Sequence, residues 1–278
     1  MSGPIGVVGL GDMGRPMAAN LLRSGFDVIG YDIDKAALAV SGVRPAGSPS
    51  EAADGARAVI VLVRDLVQTE EVLFAPGGVF SERRDGLDLI VMSTIDPGAM
   101  ASIATRAEAL GATAIDAPVS GGVAGAEAAT LTIMIGGDLR AVERCRDILQ
   151  ALGEGIFVIG PRPGMGQAVK LANQLMLAAS LMGTLEGLSI VTQAGLEPAD
   201  ALPVIARSTG SSWPVLNFDR VLEMWEGAPD RGAIGIILKD LRSIGREAFD
   251  KGLELPLAKL AQDHLLASRD RARLRRSS

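Results

Sequence analysis

Lys170 and Asn173 stand three positions apart in a stretch, residues 166–193, whose neighbours are mostly Ala, Val, Leu, Met and Gly. At helical spacing they share one face. An amine on an apolar helix is desolvated unless it finds a partner or reaches water. Burial would lower its pKa toward neutrality, where it could take or give a proton. Asn173 could orient either that amine or a ligand hydroxyl. The plainer alternative is an ordinary lysine at a domain interface. Ser120, Gly121 and Gly122 form a second pattern. A serine hydroxyl beside two glycine amides suits a carboxylate, and it equally suits a flexible turn. Ser93 and Thr94 follow the apolar run LDLIVM. Their hydroxyls could meet a ligand, while Thr94 or Asp96 could cap a helix starting near Pro97. Lys239 and Asp240 follow GIILK and make either a local surface pair or a second cation at a cleft. Trp213, after STGSS, is either a cleft residue or a core aromatic.

Residues 5–14, IGVVGLGDMG, run from a short apolar strand into Gly9, Gly11 and Gly14, with Leu10, Asp12 and Met13 between them. Gly9 permits a tight turn, Gly11 leaves room for a pyrophosphate, and Gly14 lets a helix pack closely on a sheet. The amides at the helix start favour negative charge. Asp32 closes the next strand, VIGYD, 23 positions after Gly9. That spacing suits an acid on a ribose, and the pattern reads as a dinucleotide site.

The elements that must position these residues follow from apolar patterning. Residues 5–9, 27–31, 58–63, 88–92, 113–116, 131–135 and 156–158 are short runs rich in Val and Ile. Helical patterns at 14–24, 34–40 and 66–74 separate the first four, and another covers 138–152. Strands alternating with helices imply crossover units and a mostly parallel sheet. In such sheets ligands bind beyond the carboxyl ends of the strands. GPRPGMG at 160–166 is a breaker cluster. The helix after it is almost uncharged and roughly 40 Å long. Without a polar stripe it should be covered on most sides. Further helices are expected at 198–208, 216–225, 230–249 and 256–267. The expected fold is an α/β Rossmann-type N-terminal domain, 1–163, followed by an all-α C-terminal domain, 164–267, headed by a long interdomain helix. Residues 268–278 form an Arg-rich flexible tail or an arm against a partner subunit.

The net charge of −6 argues against bulk nucleic-acid binding. The single Cys145 cannot form an internal disulfide and suits a reducing compartment. One histidine, His264, and scattered carboxylates give no metal-ligand spacing. The N-terminus lacks the basic segment of a signal peptide, and 171–185, the nearest approach to a membrane span, carries Asn and Gln. A cytoplasmic protein without membrane contact is expected.

Four segments resemble the β-hydroxyacid dehydrogenase family, which includes 3-hydroxyisobutyrate dehydrogenases and tartronate semialdehyde reductases. VVGLGDMGRPMAAN at 7–20 is similar to its cofactor fingerprint, and DAPVSGG at 116–122 to its substrate segment. GMGQAVKLANQ at 164–174 is similar to its catalytic helix, and KDL at 239–241 to its C-terminal motif. The resemblance implies Lys170 as catalytic lysine and Asn173 as its helper. It implies Ser120, Gly121 and Gly122 on a substrate carboxylate, and Lys239 beside cofactor and substrate. It also implies a homodimer or homotetramer. Many members carry two asparagines where this chain has Asn173 and Gln174. Reductases of glyoxylate and succinic semialdehyde often carry Asn-Arg-Thr after the second strand and prefer NADP. Here Tyr31, Asp32, Ile33 and Asp34 stand there, and a carboxylate repels a 2′-phosphate, so NAD is expected over NADP. The expected reaction oxidises a small 3-hydroxy acid, 3-hydroxyisobutyrate foremost, with reduction of tartronate semialdehyde, glyoxylate or succinic semialdehyde, or oxidation of L-threonate, as alternatives. A non-catalytic NAD-binding module is the rival from another class. Imine reductases usually lack the lysine.

Overall fold

The computed structural model describes residues 3–226 and 232–276. Contacts divide the chain into two units, one ending at Lys170 and the other beginning at Leu171.

In the first unit β1 (Ile5–Val8), β2 (Val28–Tyr31), β3 (Arg44–Pro45), β4 (Ala58–Val61), β5 (Asp88–Val91) and β6 (Thr113–Asp116) run parallel in the order β3-β2-β1-β4-β5-β6. β8 (Thr132–Gly137) reverses direction against β6 and also pairs with β7 (Val119–Ser120) and β9 (Gly155–Gly160). The strands read as continuous apolar runs because both faces are covered. Successive side chains then enter opposite cores. Ile5, Val7, Ile60 and Ile90 face one core, under α1 (Gly14–Arg23) and α6 (Leu139–Arg144). Val8, Val59, Val61 and Leu89 face the other, under α2 (Pro49–Ala53) and α4 (Pro97–Ala109). The register aligns Val8 with Tyr31 and Val61, Val61 with Val91, and Val91 with Asp116. The loops after β1, β2, β4, β5 and β6 therefore leave one edge of the sheet. Strand order reverses between β1 and β4, the place where doubly wound sheets open a crevice.

Several details depart from expectation. β3 and β7 are two-residue strands that the sequence pattern does not reveal. Residues 35–38 form a 3₁₀ turn, not a longer helix. The 138–152 helix is broken at Cys145 into α6 and α7 (Arg146–Gln150). Cys145 is buried there, and burial pushes its thiol up to about 12.

α8 (Met165–Gln193) carries the chain into a second unit, whose regular elements among the described residues are all helices. Leu171, Ala178 and Leu181 of α8 share a core with Ile237, Leu238 and Leu241 of α12 (Ala233–Lys251) and with Ala261 and Leu265 of α13 (Pro256–Arg276). α8 is long and apolar enough to cross a membrane by length and composition alone. Its packing in this core accounts for one apolar face. The expectation that most sides are covered is not met. Met176 and Ile190 are exposed, so part of its apolar surface lies open. The backbone of 268–276 continues α13 as helix. The Arg-rich side chains of that segment lie outside the described residues.

Candidate functional site

The turn after β1 is built from its three glycines in three different ways. Gly9 has a φ of +100°, and a Cβ there would lie 2.1 Å from the Leu62 carbonyl oxygen. A Cβ on Gly14 would lie 1.9 Å from the Gly9 carbonyl oxygen, so α1 can pack this closely only without a side chain. A Cβ on Gly11 would meet nothing within 4 Å. The first and third glycines answer to the protein's own packing. The second leaves an open approach to the backbone. α1 has Met13 at its N-cap position, with no side-chain cap and no acid in the first turn, whereas α3 (Leu66–Phe74) is capped by Asp65. Uncapped amides beside an open glycine fit a phosphate.

Asp32 is fixed beside this turn. One carboxylate oxygen accepts from the Leu10 amide at 2.6 Å and the other from the Asp34 amide at 2.8 Å. A carboxylate has further lone pairs for ribose hydroxyls. These residues fit a nicotinamide dinucleotide. The exposed Asp12 pairs with Arg15 at 3.5 Å in the same loop.

After β5 the two hydroxyls separate. Ser93 is buried and its Oγ accepts from the Val63 amide at 2.8 Å, so it joins β5 to the loop after β4. Thr94 is only partly buried. Asp96 stands at the start of α4 without making a side-chain cap.

The end of β6 holds a residue that the motif reading did not single out. Asp116 has no exposed surface. Its oxygens accept from the amides of Gly164 and Gln167, each at 2.7 Å. Burial pushes its carboxyl up to about 6, while backbone N–H groups, that of Gly164 foremost, pull it down. Gln167, also buried, donates to the Ser93 carbonyl at 2.8 Å and accepts from the Ile95 amide at 3.1 Å. The start of α8 is thereby tied to the ends of β5 and β6. Lys170, three residues on, is buried. The available signals were an acid closing the apolar strand TAID and a polar residue directly after GMG.

Ser120 ends β7 and is partly buried. Gly121 and Gly122 follow with φ of +132° and +63°, both exposed. α5 (Gly122–Ala128) begins there without a side-chain cap. The segment that suits either a carboxylate or a flexible turn is a strand end followed by two left-handed glycines.

In the second unit Asn173 is partly buried and its amide lies 3.3 Å from the Gln174 side-chain oxygen. Gln174 donates to Asp240 at 2.6 Å, and Lys239 pairs with the other oxygen of Asp240 at 2.8 Å. Asp240 is fully buried, so this is no surface pair. Trp213 opens α10 (Trp213–Leu216) and is 44 % exposed, whereas Phe218 packs against the core. The structure thus gathers Gly9, Leu10, Gly11, Asp12, Met13, Gly14, Asp32 and Thr94 along the carboxyl edge of the sheet, and ties the helix that carries Lys170 to that edge.

Residues 4–160 match the NAD binding domain of 6-phosphogluconate dehydrogenase. Residues 164–275 match the NAD-binding family of NADP-dependent 3-hydroxyisobutyrate dehydrogenase. The chain is 33 % identical over 247 residues to mitochondrial 3-hydroxyisobutyrate dehydrogenase of Mus musculus, covering 86 % of this chain and 73 % of that one. It is 36 % identical over 228 residues to NAD-dependent L-serine dehydrogenase of Pseudomonas aeruginosa, covering 81 % and 76 %. The crystal structure of 3-hydroxyisobutyrate dehydrogenase from Salmonella typhimurium superposes with a TM-score of 0.84 at 30 % identity, covering 96 % and 94 %. The expectation of a cytoplasmic location is overturned by these relatives, since the mouse enzyme and its rat, human and bovine counterparts are mitochondrial. A lone buried thiol reports a reducing environment and does not identify a compartment. With both units matched along their length, the chain belongs to the β-hydroxyacid dehydrogenase family that includes 3-hydroxyisobutyrate dehydrogenase, and is an NAD(P)-dependent oxidoreductase acting on a small hydroxy acid.

Proposed function

We propose that the chain oxidises a small 3-hydroxy acid to its semialdehyde with NAD, reversibly, with 3-hydroxyisobutyrate as the foremost substrate and Lys170 as general acid and base. The observation that carries this reading is the buried Lys170, set one turn into a helix tied to the ends of β5 and β6. The substrate carboxylate meets the Ser120 hydroxyl and the amides of Gly121 and Gly122. The neutral Lys170 amine takes the proton of the substrate hydroxyl as the carbonyl forms, and in reverse the ammonium returns it. Asn173, on the same helix, orients that hydroxyl. Lys239 takes the place beside cofactor and substrate that the family resemblance assigns to it, and the half-exposed Trp213 is proposed as a further substrate contact. The bound dinucleotide supplies the hydride acceptor, and the 9–14 loop, Asp32 and Thr94 hold it.

Asp32 is the ground for NAD over NADP. Its carboxylate is held in place and would face a 2′-phosphate with like charge. The exposed apolar residues of α8, Met176 and Ile190, are the ground for a homo-oligomer.

Lys170→Ala should leave NAD affinity nearly unchanged and lower kcat by at least ~100-fold. Turnover near that of the wild type would overturn the assignment. The same assays with NADP should give the lower kcat/KM. L-serine is a second reading of the substrate, supported by the relative that oxidises it. A panel containing 3-hydroxyisobutyrate, L-serine, L-threonate and tartronate, ranked by kcat/KM, decides between them.

A further inference from the structure

We propose that Asp116 and Gln167 are positioning residues for the Lys170 amine, holding the first turn of α8 in one rotation and one register against the ends of β6 and β5. The proposal rests on the reading of Lys170 as the proton-transfer group.

Helices usually satisfy their first amides with a local cap or water. Here a strand residue 48 positions before Gly164 does so, with one oxygen for Gly164 and one for Gln167. Two separate bonds to one buried carboxylate fix both the height and the rotation of the turn. Gln167 adds an independent constraint. Its amide donates to the carbonyl of Ser93 and accepts from the amide of Ile95, the residues flanking Thr94. A small rotation of α8 would break this pair and the Asp116 bonds together. The seat has no slack, because a Cβ on Gly166 would lie 2.2 Å from the Met134 carbonyl oxygen and 2.8 Å from an Asp116 oxygen. Lys170 follows Gln167 by three positions and so shares its side of the helix.

The arrangement is costly as a stability device. Desolvation of Asp116 outweighs the help from its amide donors. A local serine or aspartate cap would hold the helix start without burying a charge. What the longer link adds is registration between the helix and the strand ends that carry Thr94 and Asp116. An error of about 1 Å in the placement of a reacting group can lower turnover ~100-fold.

The test is a double-mutant cycle on the full chain. Asp116→Asn and Gln167→Met are each made in the wild-type and Lys170→Ala backgrounds. Each is assayed with NAD and 3-hydroxyisobutyrate, and with L-serine, alongside NAD titration and thermal unfolding. In the wild-type background each substitution should lower kcat ~10–100-fold, with KM and NAD affinity changed by less than ~3-fold. In the Lys170→Ala background the residual kcat should not fall further, because the residue acts through the amine. Equal losses in both backgrounds, losses confined to KM or NAD affinity, or near-wild-type kcat in both single variants would each overturn the proposal. If Asp116→Asn does not fold, Gln167→Met decides alone. Wild-type turnover by Lys170→Ala itself would instead remove the reading beneath the proposal, a result separable from the others.

Discussion

Among single residues, the three glycines of the 9–14 loop have separable duties. Gly14→Ala would drive a Cβ into a backbone oxygen 1.9 Å away, which neither partner can avoid by turning a side chain. We expect a loss of about 3 kcal/mol, the upper part of the overpacking range, in urea unfolding. Gly11→Ala meets nothing, so its stability should change by no more than ~0.5 kcal/mol. Its NAD dissociation constant should rise at least ~10-fold, as about 1.4 kcal/mol of ligand contact is lost. Unchanged NAD binding by Gly11→Ala would mean that the open approach is not where the ligand passes. The bend at Gly9 and the close packing of Gly14 were legible in the sequence, because Gly9 turns the loop and Gly14 packs on the Gly9 carbonyl. The duty of Asp116 was not, since its partners lie 48 and 51 positions away and nothing in its neighbours names them.

Asp116 also makes a statement about pH. Its carboxyl lies at about 6 in the folded chain against an ordinary 3.8. The native state therefore holds this proton where the unfolded chain has released it. The contribution to stability is complete below pH ~4 and is lost as pH rises through ~6, about 3 kcal/mol in all. Asp116→Asn cannot titrate. The stability of the wild type relative to this variant should therefore shrink between pH 4 and pH 7, measured by urea unfolding at constant ionic strength. A gap that widens with pH would show that the amide donors outweigh desolvation.

At the scale of elements, α8 joins two different kinds of constraint. Its start is held by the carboxylate and amide links already described. Farther along, Gln174 donates to Asp240 of α12 inside the helical unit. Gln174→Ala takes a donor from a fully buried carboxylate and should cost about 1–3 kcal/mol. Met176→Ala, at an exposed position of the same helix, should stay within ~0.5 kcal/mol in the monomer. Equal losses in thermal unfolding would contradict this division of the helix into buried and open faces. The helix itself was plain in the sequence, because an apolar run of this length between breakers has few alternatives. Which of its faces is covered was not, because Val, Leu and Met repeat on all of them. The two-residue strands β3 and β7 were hidden for another reason. They exist only through pairing with β2 and β8, and carry no period of their own.

For the whole molecule, strands give way to helices near residue 160, where the patterning changes. The order of the parallel strands is that of a doubly wound sheet. The reversal at β8 lies outside that pattern, because β8 pairs antiparallel with β6 after a connection that itself contains β7 and α5. The apolar side of α8 that its own chain leaves open also belongs to this scale. If it is closed by a second copy, light scattering coupled to size exclusion should report a dimer or larger for the wild type. The double variant Met176→Glu and Ile190→Glu should shift it toward monomer. A wild-type chain that runs as a monomer at assay concentrations would remove the homo-oligomer from the account.

The seat of Cys145 has a practical consequence. With no exposed surface and a thiol that ionises only near 12, the chain's one sulfhydryl is withheld from maleimides and from peroxide at neutral pH. The native protein is thus already a cysteine-light scaffold, and a single thiol introduced on any exposed helix can be labelled selectively without first removing the natural one.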